Sequence, residues 1–88
     1  MIKTTLLSQP SCMPCKILGS RLEALQAANP DKLAYTKINI LEDHSYDYLG
    51  VQGTPHLIVE KDGQEVFNGH VDSPLSSFNY VKGLIDES

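Results

Sequence analysis

The apolar residues of the chain change their spacing from one stretch to the next, and each change marks an element. Residues 2 to 7, Ile-Lys-Thr-Thr-Leu-Leu, are aliphatic and β-branched and predict a short buried strand. Ser8-Gln9-Pro10-Ser11 breaks it. From Met13 to about Ala28 the period becomes helical: Leu18, Leu22 and Leu25 recur at i, i+4 and i+7, and Ile17 and Ala28 widen the stripe. Pro14 suits that helix, because a first-turn residue has no intrahelical partner for its N–H. Gly19 costs helix stability relative to Ala and marks a close packing contact. Asn29-Pro30-Asp31 stops the helix.

Leu33 to Ile40 predicts a second strand, with Tyr35, Ile38 and Ile40 contributing to the core. A short second helix is expected from Asp43 to Leu49, closed by Gly50. Val51-Gln52-Gly53-Thr54-Pro55 is a turn-rich approach to a third strand, His56 to Glu60. Asp62-Gly63 is the dipeptide of a tight hairpin, and Glu65 to Asn68 is the partner strand. Gly69 to Asp72 then reads as a loop. Ser73 is a good N-cap and Pro74 a good first helical residue. Leu75, Phe78, Val81 and Ile85 give the last helix its apolar face, to about Asp86. The order is β-α-β-α-β-β-α. The helical connection implies a parallel strand pair and the Asp-Gly turn an antiparallel one. The economical arrangement is an α/β fold: one four-stranded mixed sheet flanked on both faces by three helices.

Length narrows this to a single domain, residues 1–88, with an adequate but not generous core. No apolar run approaches the roughly 20 residues that span a bilayer, and the N-terminal stretch has no signal-peptide pattern. The expectation is therefore a cytoplasmic protein without a membrane partner. A net charge of -4 disfavours nucleic acid as a partner. The distribution of charge adds more. Residues 1 to 22 hold Lys3, Lys16 and Arg21 and no acid, whereas all eleven acids fall after them. Ground free of negative charge around Cys12 favours a thiolate there.

Cys12 and Cys15 are the only two cysteines, spaced Cys-Met-Pro-Cys between a strand and a helix. In a reducing compartment such a pair is catalytic or metal-binding more often than a permanent staple. Dithiol exchange needs one exposed thiolate to attack a disulfide and a second thiol near enough to resolve the product. Cys12, at the edge of the first turn, meets free N–H groups and the positive end of the helix dipole. Cys15 lies nearly one turn further on. The pair therefore predicts Cys12 as nucleophile and Cys15 as resolving thiol, with Lys16 adding favourable potential.

Three features together resemble the thioredoxin and glutaredoxin superfamily over essentially the whole chain. They are the strand followed by Cys12-Met13-Pro14-Cys15-Lys16 at a helix start, Gly53-Thr54-Pro55 leading into a strand, and the Asp62-Gly63 hairpin followed by Gly69 and a final helix. The resemblance implies a thioredoxin-like fold and a thiol-disulfide oxidoreductase that needs no metal or organic cofactor. It implies a cis Pro55 packed beside the cysteines, a Thr54 backbone that pairs with substrate, and a rim formed by Met13 and Pro14. Its partners would be disulfide-containing proteins, among them a ribonucleotide reductase, and a reductase; the chain would act as a monomer.

The sequence departs from both best-known branches. Ser11 stands where thioredoxins usually carry Trp, and Leu6 where they carry a buried acid. Gln9 stands where glutaredoxins usually carry Lys, and Asn68-Gly69-His70 replaces their Gly-Gly turn. The loss of those two glutathione-holding features points to thioredoxin reductase ahead of glutathione as electron donor. Two alternatives stand beside this reading. Zinc held by the cysteines with His44, His56 or His70 meets the difficulty that 28 residues separate Cys15 from His44. A non-catalytic adaptor of the same fold is the other. His56, after Pro55, is a candidate to approach the sulfurs. Tyr46 and Tyr48 enclose Asp47, which argues against a nucleic-acid platform.

Overall fold

A computed structural model describes residues 1–87. The elements are β1 (Ile2–Ser8), α1 (Met13–Ala28), β2 (Leu33–Asn39), a 3-10 turn (Asp47–Leu49), β3 (His56–Lys61), β4 (Gln64–His70) and α2 (Pro74–Asp86). The strands form one mixed sheet in the order β2-β1-β3-β4. β1 and β2 are parallel, from Ile2 opposite Leu33 to Ser8 opposite Asn39. β3 runs antiparallel to β1, with Leu7 opposite His56. β4 returns beside β3 through Asp62 and Gly63, both at positive φ (53° and 83°), the conformation a two-residue hairpin turn demands.

Alternation along the strands divides the sheet. Ile2 and Leu6 of β1, Leu33 of β2, and Leu57 and Val59 of β3 share one face with Leu18, Leu22 and Leu25 of α1 and Val81 and Ile85 of α2. This is one continuous core, each fully buried aliphatic side chain contributing roughly 1.5–3 kcal/mol. Both α-helices therefore pack on the same face, which corrects the expectation of helices on both. Thr5, Leu7 and Ile58 point to the other face and are buried there, yet among the described residues no α-helix lies over it.

The missing helix is the stretch from Asp43, where only Asp47–Leu49 turns, as 3-10, before Gly50 closes it at φ 62°. Polar side chains explain this. Asn39 Oδ1 accepts the Leu41 N–H at 3.0 Å and Asp43 Oδ1 the Ser45 N–H at 2.9 Å. Such local bonds compete with helical ones. The flanking helices thus number two, not three. Two apolar positions also differ from expectation. Ile17 is 46% exposed and Ala28 is exposed, because at about 100° per residue both fall outside the Cys15-Leu18-Leu22-Leu25 stripe. Leu75, in the first turn of α2, is likewise exposed. The hairpin strand extends through His70, so the expected loop at Gly69 begins two residues later.

Candidate active site

The end of β1 is pinned before the chain turns into α1. Ser8 Oγ donates to Ile38 O at 3.2 Å, and the Ile40 N–H donates to Ser8 O at 3.0 Å, both across to the β2 side. The Cys12 N–H donates to Gln9 O at 3.2 Å, which folds the Pro10-Ser11 turn back on itself. Cys12 is the N-cap of α1, with extended backbone (φ -92°, ψ 104°). Its carbonyl accepts the Lys16 N–H at 3.2 Å, and its Sγ accepts the Cys15 N–H at 3.2 Å. A sulfur thus takes the place that Ser or Asp oxygen holds in ordinary caps, against the unpaired N–H groups of the first turn. No acidic side chain sits in that turn.

Cys12 and Cys15 are joined as a disulfide, with their Cα atoms 5.2 Å apart. The two sulfur-bearing residues differ in access. Cys12 is partly exposed, whereas Cys15 is 1% exposed, on the core-facing stripe of α1. Met13 is 63% exposed and Pro14 is exposed, so both stand on the outer rim of the pair.

The Thr54–Pro55 peptide is cis, as the resemblance implied. Pro55 is fully buried and Thr54 partly exposed. Because Leu7 pairs with His56, Thr54 and Pro55 arrive at the end of the sheet where β1 delivers Cys12. Pro55 O accepts the Val71 N–H at 2.9 Å, which ties this loop to the segment leading into α2. The fold therefore gathers all six predicted site residues, Cys12, Met13, Pro14, Cys15, Thr54 and Pro55, at one end of the sheet.

On the opposite flank of β1 is a cleft of about 240 Å³, walled by Cys15, Lys16, Ser8, Gln9, Lys37 and Asn39. Lys37 and Asn39 were not among the predicted site residues. The signal for them is the parallel register, which sets Leu6 beside Lys37 and Ser8 beside Asn39. A larger hollow, about 410 Å³, lies between β4 and the start of α2, walled by Leu57, Phe67 and Tyr80 with serines. Neither cysteine reaches it.

The histidines are engaged elsewhere. His56 Nε2 lies 2.6 Å from Asn68 Oδ1, and Asn68 Nδ2 donates to Glu65 Oε1 at 2.9 Å. This network sits on the sheet face opposite the helices, and none of its hydrogen bonds reaches a sulfur. His44 Nδ1 is 3.0 Å from Asp47 Oδ2 on the surface. The His70 ring packs against Gly53, where an added Cβ would be 3.7 Å from it. Among the described residues, no three His, Cys, Asp or Glu side chains gather as a metal site.

No family model matches the chain. Known proteins do. The chain is 32% identical to chloroplastic thioredoxin X of Arabidopsis thaliana over 83 residues, 85% of this chain and 43% of that one. It is 43% identical to thioredoxin of Rhodospirillum rubrum over 54 residues, 60% of this chain and 52% of that one. The chain thus spans about half the length of the curated relatives it matches. Among solved structures, the Drosophila melanogaster thioredoxin Deadhead superposes with a TM-score of 0.77 at 15% identity, covering 94% of this chain and 80% of that one. No helix described is long and apolar enough to cross a membrane. In sequence and in fold, the chain is thioredoxin-like.

Proposed function

We propose that the chain is a thiol-disulfide oxidoreductase that reduces protein disulfides through Cys12 and Cys15. The observation that carries this reading is the unequal setting of the two sulfurs: Cys12 caps α1 and is partly exposed, while Cys15 is 1% exposed behind it. The reduced pair starts as two thiols. The Cys12 thiolate, favoured by the helix end and the Cys15 N–H, attacks one sulfur of the client disulfide. A Cys12–client disulfide forms and the client's other sulfur leaves as a thiolate that takes a proton. Cys15, having lost its proton, then attacks Cys12 Sγ, closing the intramolecular disulfide and releasing the second client thiol. Two electrons and two protons have passed to the client.

Thr54 supplies the docking edge in this reading, its backbone pairing with the client as an added strand. Met13 and Pro14 form the rim the client slides past. Thioredoxin reductase is the favoured source of electrons, since Gln9 and Asn68-Gly69-His70 lack the usual means of holding glutathione. Clients are disulfide proteins of a reducing compartment such as the cytoplasm, with a ribonucleotide reductase one candidate by family analogy. Insulin reduction with dithiothreitol tests the activity. Wild type accelerates precipitation of the insulin B chain and Cys12→Ser does not. Equal inactivity of the two proteins overturns the proposal and favours the adaptor reading.

A further inference from the structure

The cleft beside the disulfide carries one sign of charge. Apart from Cys15, its ionisable walls are Lys16 and Lys37. Neither lysine forms an ion pair among the described residues. Asn39 Oδ1 is occupied by the Leu41 N–H at 3.0 Å, and among the described residues the Asn39 side-chain NH2 donates to no partner. Glu42 and Asp43, the acids that follow Asn39, wall no part of the cleft, and the Asp43 carboxylate is held by the Ser45 N–H at 2.9 Å. The first 22 residues, which supply Ser8, Gln9, Cys15 and Lys16, contain no acid at all.

Topology places this cleft usefully. β3 lies on one side of β1 and β2 on the other. The cysteine pair at the end of β1 therefore has the Thr54–Pro55 loop on one flank and the two-lysine cleft on the other. The cleft thus lies across the cysteine pair from Thr54, so a polypeptide docked on Thr54 with a sulfur at Cys12 can extend into it beside Lys37 and Asn39. What the cleft offers it there is ammonium and amide donors in a space large enough for a carboxylate side chain.

We infer that this cleft is a specificity subsite for a carboxylate of the client, an Asp or Glu side chain a few residues from the client's disulfide cysteine, bound by Lys16 and Lys37. The inference rests on the exchange reading above and adds a substrate class to it: disulfides flanked by acidic residues. Partly exposed charge pairs of this kind give modest, salt-sensitive selectivity, and they act on capture of the client more than on the bond exchange itself. The effect belongs in KM, and in the ratio of rates between clients.

Three synthetic disulfide peptides, identical except for Glu, Gln or Lys two residues from each cysteine, provide the test. Wild type is expected to give kcat/KM in the order Glu, Gln, Lys, with the Glu peptide ahead of the Gln peptide by about 3- to 10-fold at low salt and by much less in high salt. Lys37→Gln brings the Glu-to-Gln ratio toward one, and Lys37→Glu reverses the order of Glu and Lys peptides. Equal rates for all three peptides with wild type, or an unchanged ratio in both Lys37 variants, overturn the subsite while leaving the exchange activity standing. No turnover of any peptide overturns both.

Discussion

A methyl group placed on Gly19 would lie 3.1 Å from the Tyr35 hydroxyl oxygen and 3.7 Å from Leu6 Cδ2. Helix α1 meets β1 and β2 closely at this point, one turn beyond Cys15, so the glycine lets the cysteine-bearing end of the helix settle onto the sheet. Gly at a helix interior costs about 1 kcal/mol relative to Ala. Replacing Gly19 by Ala therefore sets that propensity gain against a crowded hydroxyl. In the Tyr35→Phe background the crowding oxygen is gone, and Gly19→Ala is expected to stabilise the protein by about 1 kcal/mol. In wild type the gain is smaller or absent. Urea unfolding of the four proteins checks this, and a full gain in wild type would show that the contact is soft.

The same hydroxyl is buried without a hydrogen-bond partner among the described residues. Burial, reinforced by the negative charge of Glu23, pushes the Tyr35 phenol up from 10.0 to about 12. The unfolded chain thus ionises first. Stability is unaffected by this group below pH 10 and falls as the pH rises from there through about 12. Tyr35→Phe removes that alkaline loss, and near neutral pH it is neutral or stabilising because no hydrogen bond is broken. Parallel stability-pH curves for the two proteins above pH 10 would contradict the assignment.

Access to the two thiols should separate them chemically. After reduction, brief treatment with iodoacetamide is expected to modify Cys12 well before Cys15, since Cys15 is 1% exposed. Peptide mass spectrometry after a short pulse reads the ratio directly. Unfolding the protein in denaturant should bring the two rates together. Equal labelling in the native state would mean that the first turn of α1 opens freely.

Helix α2 depends on its cap. Ser73 Oγ accepts the Ser76 N–H at 3.3 Å, and Pro74 follows as the first helical residue. Ser73→Ala is expected to lower stability by about 0.5–2 kcal/mol, measurable by denaturant midpoint at unchanged slope. No loss at all would place the start of α2 elsewhere.

What could be read from the sequence follows from how locally each feature is determined. α1 begins at Met13 and ends at Ala28 because Cys12, Pro14 and Asn29-Pro30 act on their immediate neighbours. The hairpin at Asp62-Gly63 is legible for the same reason. The segment after Asn39 is not, since its alternation of charge and tyrosine fits a helix as well as it fits the side-chain-bonded turns that Asn39 and Asp43 build. Ile17 counts as apolar in any pattern, but which side of a helix meets the sheet depends on tertiary placement. The same limit applies to the cleft. Lys37 is 22 positions from Cys15 in the chain, and only the parallel register of β1 and β2 makes them neighbours. The cis peptide at Pro55 was legible only by resemblance.

The central claim is that Cys12 attacks and Cys15 resolves, and the trapped intermediate tests it most directly. Cys15→Ser and Cys12→Ser proteins are each mixed with a disulfide-bonded client and examined by mass spectrometry without reductant. Cys15→Ser should accumulate a one-to-one covalent adduct through Cys12, because no second thiol remains to release the client. Cys12→Ser should form little. Adduct formation at Cys15 as fast as at Cys12, or none with either protein, would contradict the assignment.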